Sequence, residues 1–179
     1  NKLQKLMPGL TKESEETKRM MERLKELEHE GYQFEGAESS FELRVRKELG
    51  RYRPFFEIED FKIIGEEGRG EAGFSSYAMV KVRVDDEIKV TAAEGDGPVN
   101  ALDKALRQSL EGFFPALRNI YLTDYKVRIL DTREATAAIV RVLIETTDGK
   151  EKWSTIGVST DIIDASLRAL VDSLEIKLI

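Results

Sequence analysis

"DYKV", Asp124–Val127, repeats "DFKI", Asp60–Ile63, at a distance of 64 residues. Both tetrads read acid, aromatic, lysine, aliphatic. The same shift sets Val80 and Val82 over Ile144 and Thr146 with one parity. It also sets Ala101, Ala105 and Leu106 over Ala165, Ala169 and Leu170, and Ser109-Leu110-Glu111 over Ser173-Leu174-Glu175. Common strand-and-helix patterning produces matching hydrophobicity. It does not produce an in-register tetrad together with an in-register Ser-Leu-Glu. One unbroken shift is the mark of a duplicated unit.

Each copy reads as three strands and a helix. In the first, "FFEIEDFKII" puts Phe61 and Ile63 on one face. "YAMVKVRV" alternates Ala78, Val80, Val82 and Val84 against Lys81 and Arg83. "DDE" turns the chain into "IKVTAAE", and a helix then runs to about Glu111. In the second, the strands are "IYLTDYKVRIL", "ATAAIVRVLIET" and "KWSTIGV", with Asp148-Gly149 as a two-residue hairpin signal. "STDIIDASLRALVDSLE" is the helix. Val99, Leu102, Ala105, Leu106 and Leu110 form the apolar face of the first helix; Ile163, Leu167, Leu170 and Leu174 form that of the second. Small Ala101 and Ala165 permit close approach to a neighbour. Two antiparallel three-stranded sheets, each with a helix over one face, leave edges and a second face open, so pairing of units or chains is expected. "GEEGRGEAG", Gly65–Gly73, reads as a flexible connection between strands and lacks the Lys-Ser/Thr ending of a phosphate-binding loop.

Two helices precede the repeat. "TKESEETKRMMERLKELEHEG" offers Thr11 or Ser14 as cap, acids in the first turn, and Met20, Leu24 and Leu27 at helical spacing. "GAESSFELRVRKELG" places Ala37, Phe41, Val45 and Leu49 four apart, and Gly50 stops it. Helices with such narrow stripes are marginal alone and are expected to dock elsewhere.

The chain has 179 residues, 41% hydrophobic and 35% charged, with a net charge of -6. That suits one or two domains with a real core. No basic stripe points to nucleic acid, and no apolar run is long enough for a membrane. Cysteine is absent, so there is no thiolate nucleophile, disulfide or Cys-based metal site. The one histidine, His29, reads as a solvated helix-end residue. The composition reads as cytoplasmic, and the start at Asn1 without Met reads as a piece of a longer protein.

The most chemically suggestive stretch is "AAEGDGPVNALDKALR", Ala92–Arg107. Gly95-Asp96-Gly97-Pro98 opens the first repeat helix, with Pro98 suited to the first helical position. Free amides there, with the helix dipole, favour an anion. The plainer reading is that Asp96 caps the helix and the glycines only turn the chain. The nucleotide reading lacks its parallel βαβ context. At the equivalent place the second copy has Ser159-Thr160-Asp161, whose oxygens can cap their own helix. One helix start is therefore expected to be bare and the other self-capped.

"GYQFEGAESSFELRVRK", "FEIEDFKII", "AAEGDGPVNALDKALR", "LTDYKVRIL", "ATAAIVRVLIET" and "WSTIGVSTDIIDASLRALVDSLE" together resemble the C-terminal part of the 2-isopropylmalate synthase family, in its citramalate synthase branch. The resemblance covers nearly the whole chain. It implies an α+β fold: a small helical linker subdomain at residues 1–51, then a regulatory domain at 52–179 built from two pseudo-symmetric βββα units, about 52–115 and 116–179. It implies a homodimer and a branched-chain amino acid effector bound between units near the dimer interface. Isoleucine is the implied effector and leucine the alternative; a ligand-free dimerisation module is the third reading. The parent enzyme would be an acyltransferase joining acetyl-CoA to a 2-oxo acid. Its catalytic barrel, a partner within the same chain, would carry the divalent metal, so this piece is expected to hold no cofactor and no catalytic residue. The effector residues carried over by the resemblance are Gly95, Asp96, Gly97, Pro98 and Asn100; Leu122, Asp124, Tyr125 and Ile129; Ala137 and Ala138; and Thr160, Asp161 and Ile162. Asp96 is a departure beside a site for a carboxylate, and must point away or bind the effector's ammonium. Asp124 and Lys126 recur as Asp60 and Lys62, which leaves open that they form a structural ion pair.

Overall fold

A computed structural model describes residues 14–67, 74–130 and 138–179. Two helices come first, α1 (Glu15–His29) and α2 (Glu38–Glu48). The first repeat follows as β1 (Glu57–Glu67), β2 (Phe74–Val84), β3 (Glu87–Gly95) and α3 (Pro98–Leu110). A 3-10 turn, Pro115–Asn119, leads into the second: β4 (Tyr121–Ile129), β5 (Val140–Thr147), β6 (Lys152–Ser159) and α4 (Ile162–Leu178). The sheets are antiparallel meanders ordered β1-β2-β3 and β4-β5-β6. This is the α+β fold of two βββα units after a helical segment.

The repeat holds at the level of hydrogen-bond register. Phe61 pairs with Val80 and Tyr125 with Ile144; Ser76 pairs with Gly95 and Val140 with Ser159. A bulge interrupts β1 between Ile58 and Asp60, and another interrupts β4 between Leu122 and Asp124. Pro98 and Ile162 open the two helices. Each of these features recurs at the shift of the tetrad.

Both units contribute to one core. Val80, Val82, Leu102, Ala105 and Leu106 from the first join Val142, Ile144, Ala165, Ala169 and Leu170 from the second. Ala101 and Ala165 are fully buried, and α3 and α4 touch. The two helix faces read from the sequence are those that point inward.

The N-terminal helices cover the opposite face of the second sheet. Leu27, Tyr32 and Ala37 pack on Ile156 and Val158, with Phe34, Ile139 and Leu143 alongside. Ser14, not Thr11, is the cap of α1, its Oγ accepting from the Thr17 amide at 3.2 Å; Thr11 lies outside the described residues. The α2 stripe is wider than its spacing predicts. Val45 faces α1, with Phe41 and Leu49 beside it, while Ser40 and Leu43 are buried on another side. Ser40 Oγ accepts from the Ile156 amide at 2.9 Å and donates to Asp172 at 2.8 Å. It thereby satisfies a backbone group on the β6 edge, which would otherwise be open to further pairing.

Two loops differ from expectation. Strand β1 runs on to Glu67, so the Gly65–Gly73 connection begins later; residues 68–73 lie outside the described residues. The β5–β6 turn sits one residue beyond Asp148-Gly149. The Asp148 amide donates to the Glu151 carbonyl, placing Gly149 and Lys150 at the tip, with Gly149 at φ +86. That matches Asp85-Asp86 of the first unit. Asp148 serves the turn with its side chain instead, Oδ1 accepting from the Lys150 and Glu151 amides at 2.8 Å.

Candidate functional site

The first group of expected residues gathers at the start of α3. Gly97 is the N-cap and no side chain caps this end. Asp96 does not cap it: its amide donates to Asn100 Oδ1 at 3.3 Å, and its exposed carboxylate has no partner among the described residues. Ala101 is the first residue whose amide reaches back to the Gly97 carbonyl, at 2.9 Å. The Val99 and Asn100 amides before it have no acceptor among the described residues, as is usual in a first helical turn without a cap. Neither glycine has a positive φ, so unusual backbone angles do not explain them. Gly95 is needed for packing: a Cβ there would lie 2.4 Å from the Ala101 amide nitrogen. Gly97 faces open space, with nothing within 4 Å of an added Cβ.

The second helix start differs. Asp161 caps α4, its Oδ1 accepting from the Ile163 and Asp164 amides at 2.7 and 3.0 Å. Ser159 Oγ accepts from the Asp161 amide at 3.1 Å. Thr160 and Ile162 are exposed beside it.

The remaining residues lie on β4, where the bulge decides which face each takes. It resets the alternation, so Leu122, Tyr125, Val127 and Ile129 share the core-side face while Asp124, Lys126 and Arg128 take the other. Leu122 packs against the core. Tyr125, Val127 and Ile129 are 36%, 41% and 57% exposed, an apolar row at the sheet edge. Tyr125 ends on α4: its hydroxyl shares a 2.8 Å hydrogen bond with Ser166 Oγ, which donates to the Ile162 carbonyl at 2.6 Å. The row thus continues to Ile162, itself 43% exposed. Ala138 is buried; Ala137 lies outside the described residues.

Asp124 stands apart from this row. It pairs with Lys126 at 2.5 Å, and that contact, chiefly, holds its carboxyl below the usual range. No described hydrogen bond or ion pair joins the α3 turn to the β4 row within one chain. Val127 and Ser166 were not foreseen in the sequence. Ser166 had a signal, since it is a hydroxyl where the first unit has Leu102.

Helix α4 carries a second polar cluster toward its other end. Asp172 and Glu175 are 3% and 2% exposed. Asp172 meets Ser40, with Lys47 at 3.8 Å. Glu175 accepts from the Tyr52 hydroxyl and from the Phe55 amide at 3.4 Å. Burial pushes both carboxyls above the usual range, against the pull of Arg44 and Lys47 on Asp172 and of Tyr52 on Glu175. Burial, and then Glu175, drive the Tyr52 hydroxyl up as well. One helix therefore touches the apolar row near its start and the N-terminal segment near its end.

Fold and site define a duplicated βββα module whose open features are an apolar strand face and a bare helix end. The chain belongs to the LeuA allosteric (dimerisation) domain family, whose profile matches residues 35–178. It is 50% identical over 162 residues to an (R)-citramalate synthase of Geobacter sulfurreducens, covering 90% of this chain and 31% of that protein. It is 43% identical over 178 residues to an (R)-citramalate synthase of Aquifex aeolicus, covering 99% and 34%. A 2-isopropylmalate synthase of Aquifex aeolicus is 34% identical over 126 residues, covering 69% and 23%. The chain thus spans about a third of the length of the citramalate synthases it matches.

Proposed function

We propose that this chain is the C-terminal regulatory and dimerisation domain of an (R)-citramalate synthase, and that it binds isoleucine as a feedback effector. The observation that carries the reading is the exposed row Tyr125, Val127, Ile129 and Ile162 on the core-side face of an edge strand. An apolar row of this kind calls for a cover, and a second copy of the chain is the cover this family's name supplies. The higher identity to citramalate synthases than to the 2-isopropylmalate synthase favours isoleucine over leucine.

An amino acid zwitterion needs three things: donors for its carboxylate, an acceptor for its ammonium and an apolar wall. The bare amides of the α3 start are the donors. The unpartnered Asp96 carboxylate is the acceptor, since Asp124 is committed to Lys126 on the far face. Tyr125 and Ile129 are the wall. The two groups are separate within one chain, so the α3 turn of one protomer would meet the β4 row of its partner. Effector binding would then bias how the units pair. Helix α4, held to the N-terminal segment through Asp172 and Glu175, would pass that bias toward the parent enzyme's catalytic barrel, a coupling of typically 1–3 kcal/mol.

A thermal-shift series with isoleucine, leucine and valine tests this. At a hundredfold excess over Kd, isoleucine should add about 2.7 kcal/mol of stability. Leucine should bind more weakly, by the roughly 1–3 kcal/mol that one methyl position is worth in an apolar pocket. Stability unchanged by all three would leave the ligand-free dimerisation module as the function.

A further inference from the structure

Where the N-terminal segment meets the second sheet, a cleft of about 380 Å³ opens on the face opposite the apolar row. Gln33 and Glu35 line it from the segment between α1 and α2; Lys126, Arg128, Arg141 and Leu143 line it from the sheet. Its size falls in the range of roughly 300–1,000 Å³ common for small-molecule sites.

Its electrostatics are unbalanced. Arg128 and Arg141 stand directly opposite each other on β4 and β5. Like charges in that position repel. The other cations of this face are matched, Lys126 to Asp124 at 2.5 Å and Lys152 to Glu145 at 3.0 Å. Among the described residues no carboxylate forms an ion pair with either arginine. Arg141 is nonetheless fixed in place: its Nε donates to the Gly31 carbonyl and its Nη1 to Gln33 Oε1, both at 2.7 Å. These neutral acceptors orient the guanidinium without neutralising it. Burial, and then the Arg128 charge, push its pKa down. The fold itself does not require two cations here. The same cross-strand positions in the first unit hold Ile64 and Tyr77.

We propose that this cleft binds a small dianionic molecule of the phosphate or dicarboxylate class, gripped by Arg128 and the remaining donors of Arg141. A guanidinium matches the geometry of both groups through paired hydrogen bonds. Glu35 on the opposite wall selects ligands that turn a hydroxyl or amine toward it. Because the lining comes from both sides of the joint, the bound anion fastens the N-terminal segment to the second sheet.

Titrating the 179-residue chain with AMP, inorganic phosphate and malate, at matched ionic strength, tests this by thermal shift and calorimetry. A saturable response to AMP and phosphate identifies the phosphate class; a response to malate identifies the dicarboxylate class. In either case Arg128→Gln should weaken binding by at least about tenfold without lowering the ligand-free melting temperature, since Arg128 has no described partner to lose and its removal relieves the repulsion with Arg141. Glu35→Gln should tighten binding by removing a like charge. The proposal is overturned if no probe exceeds the ionic-strength control, or if Arg128→Gln binds as well as the parent.

Discussion

At Gly157 a single methyl group decides whether α4 can lie on its sheet. A Cβ there would come 1.9 Å from the Ala165 carbonyl oxygen and 3.0 Å from the Ala169 amide nitrogen. Gly157→Ala should therefore cost about 1–3 kcal/mol or more in urea denaturation, the scale of overpacking. Gly95→Ala, which drives a methyl against the Ala101 amide, should behave similarly, whereas Gly97→Ala should stay within about ±0.5 kcal/mol because the space is open. Equal losses at Gly95 and Gly97 would contradict this assignment. The sequence marks the Gly95–Gly97 pair as special but does not separate the two roles. It gives no warning of Gly157, because close approach is a property of a helix placed over a strand. Asp124 shows the same limit. The repeated tetrad leaves its partnership with Lys126 open, and the structure shows the pair in the second copy; its face is not legible at all. One bulge residue between Leu122 and Asp124 inverts the parity that simple alternation would assign.

Among the elements, the two repeat helices begin alike in register and unlike in chemistry. The difference was readable, because Ser159-Thr160-Asp161 supplies oxygens where Gly95-Asp96-Gly97 supplies an acid one position away from the cap. Asp161→Ala should cost about 1 kcal/mol through loss of the α4 cap. Carboxylates at other places on or near α4 make pH a probe of its contacts. Asp172 has a raised folded-state pKa caused by burial, opposed by Arg44, Lys47 and Ser40. Its contribution is most favourable below the unfolded value of about 4 and declines as pH rises through the folded one. The melting temperature of Asp172→Asn should thus gain on the parent as pH goes from about 4 to 7. Asp148 carries the opposite sign. Lys177 at 2.6 Å, with two turn amides, holds its pKa well below the usual range. Asp148→Asn should lose stability relative to the parent above about pH 4, and the loss should fade as pH falls through the folded pKa. Melting-temperature differences that do not move with pH would contradict both assignments. The burial of Ser40 was not legible in α2, since its partners Asp172 and Ile156 come from the far end of the chain.

For the molecule as a whole, the duplication was the legible fact, and the structure carries it through bulges, strand register and helix starts. Which faces stay open was not legible, because the two units are covered differently. The N-terminal helices close the outer face of the second sheet, while Ile64, Tyr77, Ile88 and Val90 remain exposed on that of the first. On the core-side face, β4 keeps its apolar row open where Phe61 and Ile63 of β1 pack against the core. If that row is the contact with a second copy, Val127→Lys should weaken self-association by about tenfold or more in sedimentation equilibrium, the effect of an interface residue worth over 1 kcal/mol. An unchanged dimer constant would place the contact elsewhere. The central claim is that pairing of two chains completes an isoleucine site. The most direct measurement is calorimetric titration of isoleucine into the parent chain and into Val127→Lys at a concentration where only the parent is dimeric. Saturable heat at one isoleucine per protomer in the parent, and binding at least about tenfold weaker in the variant, is the expected result. A parent dimer that releases no heat, or a monomeric variant that binds isoleucine equally well, would contradict it.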